Sequence, residues 1–244
     1  TRKINQIQRK SYEEKALYVD KEKLKKGLEV LTYPIYHLDF ESYPSPIPRF
    51  FGESPYVQSV FMYSLHIQKD RNTCDYDNDH YTFLSRDLSD HRLDLVKSMI
   101  KHIDLSNGGT VLTYNKAFEI GRIEELARLF PEHKKELLQI RDHIFDLMDL
   151  VNTNTKHYQE LGFDEARSRL PNIYHYNQRG SYSIKKVLPL FSDLRYANLE
   201  IQDGNDALEQ YASYDLYEDE DKAKIQNNLI KYCKLDTWAM HLVL

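Results

Sequence analysis

The segment that most constrains the fold is residues 36–41. Apolar and polar side chains alternate there without interruption, in the order Tyr36, His37, Leu38, Asp39, Phe40 and Glu41. Successive side chains of a strand point to opposite faces of a sheet, so this segment predicts a strand with one apolar face and one polar face. Because the polar face ends in Asp39 and Glu41, a sheet built on this strand carries a pair of carboxylates on one side.

The next segments predict two more strands and then alternating helices and strands. Residues 57–67 and 80–84 are rich in β-forming residues and are separated by polar turn residues, which predicts an antiparallel meander. Residues 89–103 and 116–130 have apolar residues at helical spacing, on either side of a short strand at 110–114. We therefore expect an α/β fold, with a central mixed sheet made of a three-strand antiparallel meander plus parallel strands and flanked by helices.

The C-terminal half predicts mainly helices. Helical patterns cover residues 132–144, 181–190, 206–214 and 221–244, whereas residues 152–180 have no clear periodicity and are predicted to be irregular.

The domain organisation follows from a change in composition. Residues 1–31 are rich in Lys, Glu and Gln with sparse apolar positions, which predicts a linker or an N-terminal helical extension. Residues 32–244 then form the α/β domain. The sequence begins with Thr rather than Met, so we expect it to be a piece of a longer protein that has other domains.

The formal net charge of −5 is unevenly distributed along the 244 residues. Residues 1–31 carry a net +4, residues 203–221 carry −8, and the remainder is nearly neutral at −1. The overall negative charge therefore does not exclude a nucleic-acid partner. No apolar run approaches the roughly 20 residues that span a bilayer, and two cysteines cannot form a disulfide framework. We expect a cytoplasmic protein with no membrane association.

Two pairs of residues are the first candidates for functional chemistry. Asp39 and Glu41 share one strand face with Cα atoms roughly 6.5 Å apart, close enough to hold a hard divalent cation between them. A polar strand face near the end of a sheet would also explain them. Tyr232 and Asp236 are four residues apart in the last predicted helix and share one helical face, although that face could simply be solvated.

Two predicted helix starts carry further candidates. Asn115 is suited to cap the helix that follows it, and Glu119 lies near its first turn, where it could also serve only to stabilise that helix end. Ser183 and Lys185 open the predicted helix at 181–190, where a phosphate could bind. An ordinary N-cap would explain the serine equally well.

In their order and context, these motifs resemble those of the DEDD superfamily of 3′–5′ exonucleases, which are DnaQ-like proteins with the ribonuclease H-like fold. The motifs are Asp39-x-Glu41, Asn115-x-x-Phe118-Glu119, Ser183-x-Lys185 and Tyr232-x-x-x-Asp236. A closer resemblance is to a bacterial family of uncharacterised domains assigned to that superfamily, and it covers about residues 33–244. This resemblance rests on Leu38–Glu41, Tyr63–His66, Ser181–Lys185 and Tyr232 to Thr237.

The resemblance implies a metal-dependent 3′–5′ exonuclease that hydrolyses phosphodiester bonds of DNA or RNA by a two-metal-ion mechanism. The implied cofactors are two Mg²⁺ or Mn²⁺ ions, and the implied partners are single-stranded DNA or RNA 3′ ends. The implied metal ligands are Asp39, Glu41, Glu119 and Asp236. Tyr232 corresponds to the tyrosine that orients the attacking water in one branch of the superfamily. The implied substrate-binding residues are Asn115, Lys116, Ser183 and Lys185.

Glu119 departs from the superfamily pattern, because the second motif ordinarily ends in Asp. The extra methylene of Glu119 predicts altered metal preference or diminished activity. Asp146 resembles a supporting acid that follows this motif, with a salt bridge to a base as the alternative. Two other hypotheses stay open, namely a non-catalytic ribonuclease H-like module that binds nucleic acid or acts as a scaffold in a larger protein, and an endonuclease or nucleotidyl-transferring relative.

Overall fold

A computed structural model describes residues 2–244, and its strands form two sheets. The strands are β1 (Tyr18–Val19), β2 (Ile35–Pro44), β3 (Gln58–Gln68), β4 (His80–Leu84), β5 (Thr110–Thr113), β6 (Ile144–Asp146) and β7 (Ile173–Tyr174). Five of them form the main sheet in the order β4-β3-β2-β5-β6, and β1 pairs with β7.

Helices surround the main sheet. They are α1 (Arg2–Glu14), α2 (Lys21–Leu28), α3 (Arg92–His102), α4 (Lys116–Leu129), α5 (Lys134–Asp142), α6 (Leu147–Val151), α7 (Thr155–Glu160), α8 (Glu165–Ser168), α9 (Ile184–Val187), α10 (Gly204–Ala212) and α11 (Asp219–Val243). None of these helices combines the length and the apolar character that crossing a bilayer would require.

The main sheet has the predicted topology. β2 pairs antiparallel with β3, and β3 pairs antiparallel with β4, which forms the meander. β5 pairs parallel with β2, and β6 pairs parallel with β5. This five-stranded mixed sheet with flanking helices confirms the predicted α/β architecture and is consistent with a ribonuclease H-like fold.

The two faces of β2 contact different helices, as its alternating sequence requires. Leu38 and Phe40 are buried in a core cluster that includes Leu95 of α3 and Ile123 of α4. On the other side, α10 and α11 pack against β2. The carboxylates of β2 are therefore held between the sheet and the C-terminal part of the chain.

The structure differs from the prediction in three short segments. The predicted helix at 132–144 ends at Asp142, and the next residues form strand β6. The predicted helix at 181–190 is only the four-residue α9 followed by a 3₁₀ turn at Leu188–Leu190, because Pro189 lacks the N–H that would continue an α-helix. The segment predicted to be irregular, 152–180, contains α7, α8 and β7.

The N-terminal segment packs against the rest of the chain through its second half. β1 pairs with β7, and α2 contacts α6. The Lys23 ammonium is fully buried there and donates hydrogen bonds to Thr153 Oγ1 at 3.0 Å and to the Leu170 carbonyl at 2.7 Å.

Candidate active site

Seven of the nine predicted site residues line one cavity of about 320 Å³ between the main sheet, α9 and α11. We call this space the acidic cavity. Its lining residues are Asp39, Glu41, Tyr114, Asn115, Met148, Ser183, Ile184, Lys185, Tyr232, Asp236 and Met240. Glu119 and Lys116 are the two predicted residues that are not in this lining.

Asp39 and Glu41 lie on β2 and are partly buried. Burial, reinforced by the charge of Asp236, raises the pKa of Glu41 to about 8. Burial also raises the pKa of Asp39 well above its usual range, with the charges of Asp236, Glu41 and Glu119 acting in the same direction. Ionising these groups together is therefore unfavourable unless a positive charge compensates them.

Asp236 reaches the cavity from α11 and is held by a tyrosine that the sequence did not single out. The Tyr196 hydroxyl donates a hydrogen bond of 2.6 Å to Asp236 Oδ1. Burial raises the pKa of Asp236 to about 6, although this hydrogen bond acts in the opposite direction. Tyr232 lies one turn earlier on α11, and its ring meets that of Tyr196 edge to face, with the ring centroids 6.1 Å apart.

Lys185 is the one basic side chain among the lining residues. Its ammonium donates a hydrogen bond of 2.6 Å to the Gln202 carbonyl and lies 5.2 Å and 5.4 Å from the ring centroids of Tyr196 and Tyr232. Its charge lowers the pKa of both Glu41 and Asp236, so it partly offsets the repulsion among the acids.

Asn115 occupies the N-cap position of α4, but its side chain makes no capping hydrogen bond, which corrects the predicted role. Asp146 caps the helix instead, since its carboxylate accepts hydrogen bonds of 3.0 Å from the backbone N–H groups of Asn115 and Lys116. Asn115 itself has φ 76°, a left-handed conformation that asparagine tolerates better than most residues. Its side chain is thus free to line the cavity.

Glu119 is 2% exposed and lies on the first turns of α4. Its Oε2 is buried without a hydrogen-bond partner among the described residues. Burial, with the charge of Asp146, raises the pKa of Glu119 to about 8. The charge of Glu119 raises the pKa of Asp39, although Glu119 is not in the lining of the cavity.

Lys116 and Ser183, two of the predicted substrate-binding residues, lie in different surroundings from each other. The Lys116 ammonium pairs with Asp149 at 2.9 Å, outside the lining of the cavity. Ser183 lines the cavity, but the helix that it precedes has only four residues, and its side chain makes no capping hydrogen bond. So short a helix has little dipole to offer a phosphate.

Sequence reasoning missed Tyr196 and the role of Cys233 in this site. Cys233 is 1% exposed, and its sulfur lies 3.8 Å from Glu41 Oε1. Helical spacing could have identified Cys233, since it precedes Asp236 by three residues on α11. Tyr196 lies in a 3₁₀ turn at Tyr196–Asn198 with no periodic pattern around it, so the sequence offered no signal.

Comparisons with known proteins identify a family but no activity. The profile of a family described as a domain of unknown function, DUF2779, matches residues 36–183. Uncharacterized protein UU173 of Ureaplasma parvum serovar 3 is 29% identical over 154 residues, which is 63% of this chain and 20% of that protein. The chain thus spans about a fifth of the relative that it matches. No solved structure matches the chain.

Proposed function

The chain belongs to the DUF2779 family, whose function is unknown, and we propose that it is a metal-dependent 3′–5′ exonuclease of the DEDD superfamily, tyrosine branch. The family match ends at residue 183, so Tyr232 and Asp236 lie beyond it. The proposal therefore rests on the site itself.

The observation that carries the proposal is the convergence of Asp39, Glu41, Asp236 and Tyr232 on one cavity from separate parts of the sequence. Burial raises the pKa of all three acids, which means that the positive charges and hydrogen bonds of the chain do not fully stabilise their ionised forms. Carboxylate oxygens are the donors that Mg²⁺ and Mn²⁺ prefer. The donor set thus fits the divalent cations that phosphodiester hydrolysis uses.

The ligands of such cations would be Asp39, Glu41 and Asp236, with Glu119 behind them. When bound, divalent cations lower the pKa of a water and neutralise charge on the departing 3′ oxygen. Hydrolysis forms a bond between the water oxygen and phosphorus and breaks the bond between phosphorus and the 3′ oxygen.

Tyr232 is suited to orient the attacking water rather than to take its proton. Burial and the neighbouring acids raise the pKa of Tyr232 above its usual value, so its hydroxyl stays protonated and acts through a hydrogen bond. Tyr196 fixes the orientation of Asp236 by its own hydrogen bond.

The substrate side of the cavity would be formed by Asn115, Ser183 and Lys185. Lys185 offers a positive charge beside the acids, as a phosphate would require, and the serine and asparagine offer neutral polar groups. We propose single-stranded DNA or RNA 3′ ends as the substrate.

A degradation assay tests the proposal. Matched single-stranded DNA and RNA oligonucleotides, labelled at the 5′ end, are incubated with the chain and with Mg²⁺, Mn²⁺ or EDTA. We expect progressive shortening from the 3′ end that requires the metal and is lost in the Asp39→Ala variant. Internal cleavage would indicate an endonuclease instead, and activity retained by Asp39→Ala would assign the nuclease to a contaminant or to another site.

One observation favours a second candidate, a non-catalytic module that binds nucleic acid or another part of its parent protein. The fourth acid is Glu119 rather than Asp, and it does not line the cavity. If the oligonucleotides bind to the chain without any shortening in Mg²⁺ or Mn²⁺, this candidate replaces the exonuclease.

A further inference from the structure

A thiol lies among the carboxylates of the acidic cavity. Asp39, Glu41 and Cys233 each offer one ligand atom, and these three atoms lie within 4.8 Å of one another. Cys233 Sγ is 3.8 Å from Glu41 Oε1. Among the described residues, these two carboxylates and this thiol lie close enough together to hold a metal ion.

The helix geometry explains why the thiol lies there. Cys233 and Asp236 are three residues apart on α11, so both lie on the face that packs against the sheet. Cys233 also belongs to a core cluster that includes Leu229, and it is 1% exposed. The thiol is therefore buried beside Glu41 and does not face solvent.

A second observation concerns the fourth acid. The Glu119 side chain is buried, and its Oε2 has no hydrogen-bond partner among the described residues. A buried carboxylate oxygen without a partner is costly, and a nearby cation would compensate it.

We infer that Cys233 is a ligand of the cation held by Asp39 and Glu41, so that the site binds Zn²⁺ in preference to Mg²⁺. This inference rests on the metal site of the proposed function, and not on nuclease activity. Binding forms a bond between the sulfur and the metal, breaks the S–H bond and releases the proton to solvent. A thiolate favours softer cations, whereas an all-oxygen site favours Mg²⁺.

The two cysteines of the chain allow a matched experiment. Cd²⁺ is the probe, because a cadmium–thiolate bond absorbs in the ultraviolet and a cadmium–carboxylate bond does not. Absorption and calorimetric titrations are run on the wild-type chain, on Cys74→Ser, in which Cys233 is the only thiol, and on Cys233→Ser. A further variant, Asp39→Asn, removes a carboxylate ligand. Circular dichroism checks the fold of each variant, and Cys233→Ala is the substitute if the serine variant does not fold.

We expect the ultraviolet band in the wild type and in Cys74→Ser, and its loss in Cys233→Ser. Mutating a residue that only hydrogen-bonds to a metal ligand lowers metal affinity about 10–100-fold. Removing a direct ligand should cost at least as much, so Cys233→Ser should bind Cd²⁺ and Zn²⁺ at least about tenfold more weakly. Its affinity for Mg²⁺ should change little.

The outcomes separate this inference from the proposed function. Cd²⁺ binding that depends on Asp39 but lacks the band would overturn the thiolate ligand and leave a carboxylate site, with Cys233 only a hydrogen-bond donor to Glu41. A band that persists in Cys233→Ser and disappears in Cys74→Ser would assign the thiolate to Cys74. Absence of any divalent-cation binding that depends on Asp39 would overturn both proposals.

Discussion

Two groups of polar and ionisable side chains lie along the same interface, where α11 packs against the sheet. They differ in how far contacts within the chain offset the cost of burying them. The first is the acidic cavity. The second, which we call the histidine network, consists of His37, Ser64, His66, Gln68, His80, Thr237 and His241. Cys233 and Thr237 are one helical turn apart on α11, so a single helix serves both groups.

The histidine network consists of two hydrogen-bonded groups, one in which Gln68 lies between His37 and His241 and one around Ser64 and Thr237. Thr237 Oγ1 lies 2.7 Å from His66 Nδ1 and 3.0 Å from Ser64 Oγ, and His80 Nε2 lies 2.9 Å from the same serine oxygen. Burial lowers the pKa of His66 to about 4 and that of His80 to about 3, so these rings are neutral near pH 7.

The acidic cavity is compensated only in part from within the chain. Its acids have raised pKa values, and Lys185 is their one basic neighbour in the lining. The comparison teaches that the buried histidines are neutral near pH 7, whereas the acids of the cavity ionise at a cost that an added cation would offset. Each prediction below tests that difference.

The largest effect should come from removing one acid of the cavity. Asp236→Asn keeps the shape of the side chain but removes its charge, so we expect nuclease activity to fall by at least about a hundredfold, since bound metal contributes several kcal/mol. The rise in melting temperature caused by Mn²⁺ should also shrink. Asp221→Asn is the control, because Asp221 is an exposed acid on the same helix. Equal activity of the two variants would remove Asp236 from the site.

The second prediction uses pH, because the two groups shift stability in opposite directions. Carboxyls titrate near pH 4 when unfolded, but Glu41 and Glu119 titrate at about 8 in the folded chain. The folded state therefore holds more protons over this window, and stability falls as pH rises through it. Histidines titrate near pH 6.5 in the unfolded chain, whereas His66 titrates at about 4 in the folded chain. The unfolded state therefore holds more protons between these pH values, and stability falls as pH drops through this window.

The melting temperature of the metal-free chain should therefore be highest at mildly acidic pH and fall on both sides. A cation at about 100 times its dissociation constant contributes about 2.7 kcal/mol, which corresponds to roughly 5–10 °C for a chain of this size. At one fixed cation concentration, this gain should be larger at pH 8.5 than at pH 6, because the ligands must be ionised to bind metal. A gain of equal size at both pH values would contradict the assignment of these acids as ligands.

How far the sequence could predict these two groups depends on periodicity. The alternation of residues 36–41 was sufficient to identify β2 and to place Asp39 and Glu41 on one face. β6 was missed because Ile144–Asp146 is too short to show a period of two. Tyr196 was missed because a hydrogen bond between residues 40 positions apart leaves no local pattern.

The histidine network was also beyond sequence reasoning, for the same reason. His66 and Thr237 are 171 residues apart, and each is unremarkable in its own segment. Asn115 was assigned a capping role from its position at the start of a helix, but Asp146 from the neighbouring strand does the capping. Local patterns predicted the elements and the carboxylate pair, whereas contacts between distant elements required the structure.

The third prediction addresses the histidine network. Thr237→Val leaves His66 Nδ1 without a partner and Ser64 Oγ with His80 Nε2 alone, so we expect the free energy of unfolding to fall by about 1–3 kcal/mol, measured by urea denaturation. Thr237→Ser keeps the hydroxyl and should lose less. The response of the melting temperature to Mn²⁺ should be the same in Thr237→Val as in the wild type. A valine variant that lost its metal response but kept its stability would show that the network belongs to the cavity.

The smallest effects should separate the two tyrosines of the cavity. Tyr196→Phe removes the hydrogen bond to Asp236 but keeps the ring, so we expect metal affinity to fall by roughly tenfold or more, because hydrogen bonds to charged groups contribute about 1.5–3 kcal/mol. Tyr232→Phe should instead slow turnover and leave metal affinity nearly unchanged, because its proposed partner is the water. Calorimetric titration with Mn²⁺ and single-turnover degradation of a labelled oligonucleotide measure the two quantities separately. If Tyr232→Phe weakened metal binding as much as Tyr196→Phe did, both hydroxyls would serve to hold the acids, and the attacking water would need another partner.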